Sequence, residues 1–463
     1  MASQHGDALL TQAWAALATD RDADAVPVPA DLDVHGAGGL LSSRLPVEDT
    51  ATACIATALL AAAALSAQRT GQPPRPVRLA RGHVAAAVRS ETYLRCAGEP
   101  LADPFAPLSR FWRAADGWVR THGNYSWHKE ALLRALGTVD DVGAVGAAIS
   151  EVSALELETG VTEAGGVAVA VRTADQWHAH PQGQAVSGRR LIEGGAVGEA
   201  PPRRRDAGAL PAAGVRVVDL TRVIAGPVGT RFLAALGADV LRIDPPHRPE
   251  LPLHAYDGLL GKRSALLDVR TPEGTAALHA LLDEADVLVH GYRPGALDRF
   301  GLAPRDIAER HPGLVVVSLS AWGRTGPWSH RRGFDSMVQA ASGIAMVESS
   351  NGEHPGALPC QLLDHGTGYL CAASALDGLR RQAEHGGTHV RELSLARTAQ
   401  WLLDQPRTGL VPPPADVDAD TWLTTVSSDQ GAITTVAPPG DLGGRRLRWP
   451  RPLASYGGDP PAW

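Results

Sequence analysis

Cysteine is rare: Cys54, Cys96, Cys360 and Cys371 are the whole complement of a 463-residue chain. No two form a CxxC pair, and none stands at metal-binding spacing from a histidine. Neither a disulfide framework nor a metal centre is therefore expected. The four read as buried free thiols of a reducing compartment. Aromatic residues make up only 5% of the chain, with 11 Trp among them. Positive charge is also short: 43 Lys+Arg stand against 50 Asp+Glu, a net charge of -7. A general nucleic-acid binder carries the opposite excess on one face, so nucleic acid is not an expected partner. Arginine greatly outnumbers lysine, which with the abundant alanine reads as a GC-rich coding bias. The N-terminus lacks the basic region of a secretory signal. One stretch, residues 50–67, is uncharged over about 18 residues, near the length that spans a bilayer. It is mostly Ala and Thr, so a buried soluble helix is expected, with no membrane partner and a cytoplasmic location.

What is present is ordinary for a globular protein: 44% apolar residues and 20% charged ones, with 50 Gly and 35 Pro for tight turns. The length suits two domains with a linker, or about three domains. Residues 1–200 open with a helical stretch at 7–17, pass through Pro-rich loop, and reach the Ala-rich helix 51–67. Asp116-Gly117 reads as a turn between strands, and residues 166–172 as a further strand. A Pro-, Gly- and Arg-rich run at 201–213 marks an exposed linker.

From residue 214 the rhythm changes. Strands are expected at 215–220, 238–243, 286–290 and 314–319, and helices at 227–236, 272–284 and 304–310. Alternation at this spacing implies βαβ units, a parallel sheet and a doubly wound, Rossmann-like α/β domain over 214–463. The turn after the first strand, Thr221 to Gly229, is not GxGxxG, so a dinucleotide is not inferred. A Gly-rich turn before a helix can still receive a carboxylate or a phosphate.

Several motifs in this half occur in a recognisable order. They are Val-Val-Asp-Leu-Thr-Arg-Val-Ile-Ala-Gly-Pro227, Leu236-Gly-Ala-Asp-Val-Leu-Arg-Ile-Asp-Pro-Pro246 and Gly261-Lys-Arg-Ser264. Asp286-Val-Leu-Val-His-Gly-Tyr-Arg-Pro-Gly295, Gly333-Phe-Asp335 and Leu363-Asp-His-Gly-Thr-Gly368 follow. Spread over residues 217–368, they stand in an order that resembles the family III CoA-transferases, which include formyl-CoA and carnitine CoA-transferases and the α-methylacyl-CoA racemases. The first segment resembles the later, smaller domain of that family, and Asp49 before its Ala-rich helix resembles the family's Asp-plus-helix unit. Ala437-Pro-Pro and Trp449-Pro-Arg-Pro resemble its returning tail. The order of domains is thus rearranged and partly duplicated, and the family's Gly-rich lid loop has no counterpart here.

The resemblance implies an acyl-CoA:carboxylate CoA-transferase with Asp364 as covalent nucleophile and Asp335 as a second acidic active-site residue. A helix start favours a carboxylate through its dipole and free N–H groups. Read locally, Asp364 is no more than a helix cap; the family motif favours the nucleophile. Asp49, with Ala53 where Gly would be expected, reads as a plain cap. Val223, Ile224, Arg242, Lys262, Gly291, Tyr292, Arg299, Phe300 and Arg332 are the residues implied for coenzyme A, whose phosphates call for cations. The substrates implied are an acyl-CoA and a small carboxylate, with no tightly bound cofactor.

Phe334 stands where the racemases carry a catalytic histidine, and a racemase needs acid/base groups on both faces of the α-carbon. A racemase-type isomerase and a non-catalytic CoA-binding relic are therefore the alternatives. Ile224 replaces the Gln of formyl-CoA transferase, which argues against oxalate. The family's interlocked dimer implies either a homodimer or a pseudo-dimeric monomer whose first segment acts as partner. The homodimer is the preferred expectation, because one large domain alone leaves the partner surface uncovered.

Overall fold

The computed structural model describes residues 2–19, 28, 30–101, 105–408 and 418–463, with residues 2–5 described by backbone alone. The strands of the second half are runs of Val, Leu and Ile buried at almost every position: Arg216–Leu220, Asp239–Asp244, Val287–His290 and Val315–Ser320. A strand apolar on both faces needs cover on both, and parallel sheets flanked by helices provide it. With Arg263–Leu266 and Thr388–Ser394 they form six parallel strands. Numbered along the chain, these lie in the order 3-2-1-4-5-6, the doubly wound arrangement, whose ligand crevice lies where the order reverses. The expected helices at 272–284 and 304–310 form as Pro272–Glu284 and Pro304–Arg310, each opened by a proline that lacks the N–H a helix start would leave unpaired.

Two features correct the expected domain boundaries. Glu193–Gly198 is the antiparallel edge strand of this same sheet, paired with Thr388–Ser394, so the first segment reaches into the second domain before residue 200. The C-terminal tail also crosses over. Gly431–Val436 pairs with Arg95–Cys96, and Asp441–Leu442 pairs with Val77–Ala80. Only the last residues return to the large sheet, where Ser264 donates its N–H to Asp459 and Trp463 donates to the Leu281 carbonyl.

A smaller unit is built from Phe111–Arg113, Trp118–Thr121 and Ala168–Ala170 with the helices Ser126–Leu136, Val142–Ser150 and Ala154–Glu163. The expected Asp116-Gly117 turn joins its first two strands. Its core is Trp112, Val119, Leu132, Ile149, Leu157 and Val161. It docks on the helix Asp335–Ser342, where Arg172 donates its N–H to the Ala340 carbonyl and the His122 ring stacks on Phe334 at 3.7 Å.

At the centre two 24-residue helices, Val47–Thr70 and Leu362–His385, pack against each other. Their starts have nearly the same backbone: φ -75, ψ 59 at Pro46 and φ -77, ψ 61 at Gln361. Each carries an aspartate as its third residue, and each ends at a glycine of positive φ, Gly71 or Gly386. Leu-Ala-Arg recurs at the following strand-to-helix junction, at 79–81 and 395–397. The first of these helices is long and apolar enough to cross a membrane, but 83% of its most apolar window is packed inside the protein. The small side chains explain the close approach: a Cβ on Gly366 would stand 3.4 Å from the Cys54 sulfur. Cys54, Cys360 and Cys371 are buried and Cys96 is half-buried, all as free thiols.

The helix Leu362–His385 also crosses Ala225–Ala235 at a glycine contact. A Cβ on Gly368 would stand 2.3 Å from the Ala225 carbonyl oxygen, and one on Gly229 would stand 2.5 Å from the Gly368 carbonyl oxygen. Gly368→Ala should therefore cost about 1–3 kcal/mol through overpacking, read as a lower denaturation midpoint. An unchanged midpoint would show that the two helices tolerate a wider spacing.

Candidate active site

The crevice at the strand reversal opens into a cavity of about 470 Å³, within the range of small-molecule sites. One wall is the turn after the first strand, residues 220–226. That turn is held by a buried network. The Lys262 ammonium donates to Asp219 at 2.9 Å and to Thr230 at 2.6 Å, and Asp219 accepts the N–H of Thr221 at 2.9 Å. Burial lowers the Lys262 ammonium to about 8 against the pull of Asp219. Beside it, Arg242 donates to both oxygens of Asp244 and to Glu250. Burial alone would raise Glu250, but Arg242 and Arg222 hold its carboxyl well below the usual range. Glu250 in turn accepts the N–H of Val223 at 2.9 Å. That bond secures Val223 in a left-handed conformation, φ 66, which a β-branched residue adopts only when its surroundings impose it.

These contacts correct part of the expected site. Arg242 and Lys262 are wholly buried and paired with internal carboxylates, so neither faces a ligand phosphate. Ile224 is 6% exposed and packs into the core beneath the turn. Val223, Gly291, Tyr292, Arg299, Phe300 and Arg332 do line the cavity, together with Asp364.

Asp364 is in the first turn of its helix rather than before it, and it caps nothing. Its N–H donates to Asp335 Oδ2 at 3.0 Å. Asp335 therefore acts across a gap as acceptor for the start of the Asp364 helix. Its other oxygen accepts from Gln339, whose own carbonyl accepts the N–H of Leu358 at 2.9 Å. Asp335 is 1% exposed and does not line the cavity. The expectation that it sits in the active site as a second acid is corrected: it holds the Asp364 backbone in place. Among the described residues no hydrogen bond and no cation reaches the Asp364 carboxylate. Burial, then the nearby Asp335 and Glu91, push Asp364 well above the carboxylate range, and burial also raises Asp335. His365 turns away from its neighbour and meets Glu91 at 3.0 Å.

Asp49 occupies the matching place on the other helix and is treated differently. Arg81 donates to Asp49 at 3.0 Å and to Glu48 at 3.2 Å, and Glu48 accepts the N–H groups of Gly39 and Leu40. The expectation that Asp49 caps its helix is corrected, because its carboxylate is bound to a cation instead.

The sequence reading missed much of the lining. Seven arginines border the cavity: Arg222, Arg248, Arg270, Arg293, Arg299, Arg331 and Arg332. Arg270 pairs with Asp268, Arg331 with Glu158 and Arg222 with Glu250, while Arg248, Arg299 and Arg332 have no carboxylate partner among the described residues. Tyr125, Trp127 and His128 come from the smaller unit, more than 200 residues earlier in the chain. Only their Tyr-x-Trp-His clustering in an aromatic-poor chain could have pointed to them.

Residues 212–409 match the family model for CoA-transferase family III. The match covers somewhat less than half of the chain. The chain is 30% identical over 207 residues to a probable fatty acyl-CoA transferase of Mycobacterium tuberculosis, covering 42% of this chain and 52% of the relative. It is 35% identical over 199 residues to an acetyl-coenzyme A transferase of Hypoxylon pulicicidum, covering 42% of this chain and 34% of that one. A solved CaiB/BaiF family protein of Brucella suis is 25% identical, covering 48% and 65%, with a TM-score of 0.39. The chain thus spans about a third to a half of the length of these curated relatives.

The raised pair has a consequence for stability. Groups whose folded value lies above the unfolded one favour the folded state at low pH and lose that contribution as pH rises through the folded value. Asp335→Asn keeps an acceptor for the Asp364 N–H but removes one charge of the pair. The drop in melting temperature between pH 5 and pH 8 should shrink in this variant. An equal drop in variant and parent would show that the two carboxyls do not repel.

Proposed function

We propose that the protein is an acyl-CoA:carboxylate CoA-transferase with Asp364 as nucleophile. The observation that carries this reading is a carboxylate left without cation or hydrogen-bond donor at the wall of a cavity bordered by arginines. Burying such a group unpaired is costly, and carboxylates kept in that state at clefts are candidates for chemistry. Coenzyme A brings phosphates, which arginines without a carboxylate partner suit. Arg299 and Arg332 are assigned to it, with Gly291, Tyr292 and Phe300 beside its nucleotide.

The chemistry proceeds by exchange at carbonyl carbon. The ionised Asp364 carboxylate attacks the thioester carbonyl. The C–S bond breaks, giving an acyl-aspartyl anhydride and CoA thiolate. The thiolate then attacks the aspartyl carbonyl, releasing the donor carboxylate and leaving an aspartyl-CoA thioester. The acceptor carboxylate attacks that thioester, regenerating an anhydride and thiolate. Attack of the thiolate on the new acyl carbonyl completes the acyl-CoA and frees Asp364. No net proton or electron is consumed.

Helix packing also favours one assembly over the other. The first segment covers the face of the large domain that would otherwise be bare, with Val47–Thr70 lying along Leu362–His385 and the smaller unit over the cavity. We favour the pseudo-dimeric monomer on this ground, in place of the homodimer preferred from sequence. Sedimentation equilibrium should give a mass near 48.4 kDa at every concentration; a stable doubling of that mass would rule it out.

Asp364→Ala should abolish transfer and keep the melting transition, because the side chain makes no internal hydrogen bond. Full activity in that variant would sink the mechanism. Arg299→Ala and Arg332→Ala should each raise KM for the acyl-CoA by about 10-fold to 100-fold, the loss of one charged hydrogen bond. In the parent, activity should fall as pH drops through the raised value of Asp364, since only its ionised form attacks. A rate that is flat from pH 8 to pH 5 would contradict this.

A further inference from the structure

The wall of the cavity supplied by the smaller unit and Phe334 is a cluster of rings. The chain has 5 Phe, 6 Tyr and 11 Trp in 463 residues, yet Tyr125, Trp127 and Phe334 gather beside Asp364 with two histidines. Phe334 immediately precedes Asp335, the residue that accepts the Asp364 N–H, and it lines the same cavity as Asp364. His122 covers it in a parallel stack at 3.7 Å and 8°. His128 meets Phe334 nearly edge-on, with ring centroids 5.8 Å apart, and Tyr125 stacks on Trp127 at 4.6 Å. Phe334, Tyr125, Trp127 and His128 all line the same cavity as Asp364.

Two of the arginines at this wall are already paired. Arg222 lies over the Tyr125 ring at 5.2 Å but is paired with Glu250, and Arg331 is paired with Glu158. Burial, with Arg332 next in effect, holds His128 at about 3, and burial with His128 lowers His122 also. Both imidazoles are therefore neutral rings near pH 7. His128 is 4% exposed, and its ring Nδ1 has no hydrogen-bond partner among the described residues. A second carboxylate on the acyl group would find neutral rings here and no uncompensated cation apart from the exposed Arg332 and Arg248, the latter over the Trp127 ring at 4.8 Å, both of which suit the phosphates of coenzyme A. Flat apolar rings, in contrast, are matched by offset-stacked and edge-to-face contacts.

Resting on the transferase reading above, we propose that the acyl group exchanged by this protein is an aromatic or similarly flat, singly charged carboxylic acid, recognised by Phe334, Tyr125, Trp127 and His128. The bond changes are those already given for the transferase; only the group on the carbonyl is specified.

Benzoyl-, phenylacetyl-, acetyl- and succinyl-CoA, each incubated with the whole protein, test this in two steps. Mass spectrometry first records a covalent adduct at Asp364. Kinetics then give kcat/KM for transfer to the matching free acids. The aryl thioesters should exceed the acetyl and succinyl ones by about tenfold or more, the scale of one or two ring contacts. Phe334→Ala and Trp127→Ala should each bring that ratio towards one; the second sits on a half-exposed residue, so it keeps the test open should the first fail to fold. Adducts from succinyl-CoA as readily as from aryl thioesters would overturn the aryl assignment and leave the transferase reading intact. So would a ratio unchanged in both variants. Absence of an adduct from every thioester would overturn the transferase reading and this inference with it.

Discussion

The contact on which the rest of the structure depends is the one between two equal helices, Val47–Thr70 and Leu362–His385. Both helices are rich in small residues, and at Gly366 a Cβ would stand 3.4 Å from the Cys54 sulfur, so the contact leaves little room for larger side chains there. Because the two helices are fixed, the segment that follows the first is placed over the crevice of the large sheet. Tyr125, Trp127 and His128 then reach the wall that carries Asp364. A shift of either helix would separate the two halves of the cavity without touching a residue that lines it.

The two helices resemble each other most at their starts and differ most in what surrounds the aspartates. Asp49 is neutralised by Arg81, with Glu48 tied to the backbone of residues 39 and 40. Among the described residues the charges that act on Asp364 are those of Asp335 and Glu91, and both disfavour its ionised form. A group held in that way is available to react, whereas a group locked to arginine is not. On the proposed reading, one half of a duplicated framework keeps the chemistry and the other keeps the shape.

Most of the large domain was legible in the sequence, because buried parallel strands are continuous apolar runs and their helices open on proline. The helix Pro272–Glu284 and the strand Arg216–Leu220 fall where periodicity and turn residues put them. The edge strand Glu193–Gly198 was not legible, since Glu-Gly-Gly-Ala-Val-Gly has neither alternation nor an apolar run. The site was legible only in part. Motif order brought out Asp364, Arg299 and Arg332, but it could not separate cations that face the cavity from those that hold its wall. Arg242 and Lys262 belong to the second kind, and only their carboxylate partners reveal it. Asp335 was read as part of the active site, when one of its oxygens is used by the Asp364 N–H and the other by the Gln339 side chain. The aromatic wall depends on contacts across 200 residues, which no local pattern records.

The central claim is that Asp364 forms a covalent bond to the acyl-CoA during turnover. Mass spectrometry of the whole protein quenched with an acyl-CoA, followed by peptide mapping, tests it most directly. The account predicts an added mass of an acyl group or of coenzyme A on the peptide containing Asp364, absent in Asp364→Ala. Turnover of the thioester with no adduct, or an adduct on the Asp49 peptide instead, would contradict it.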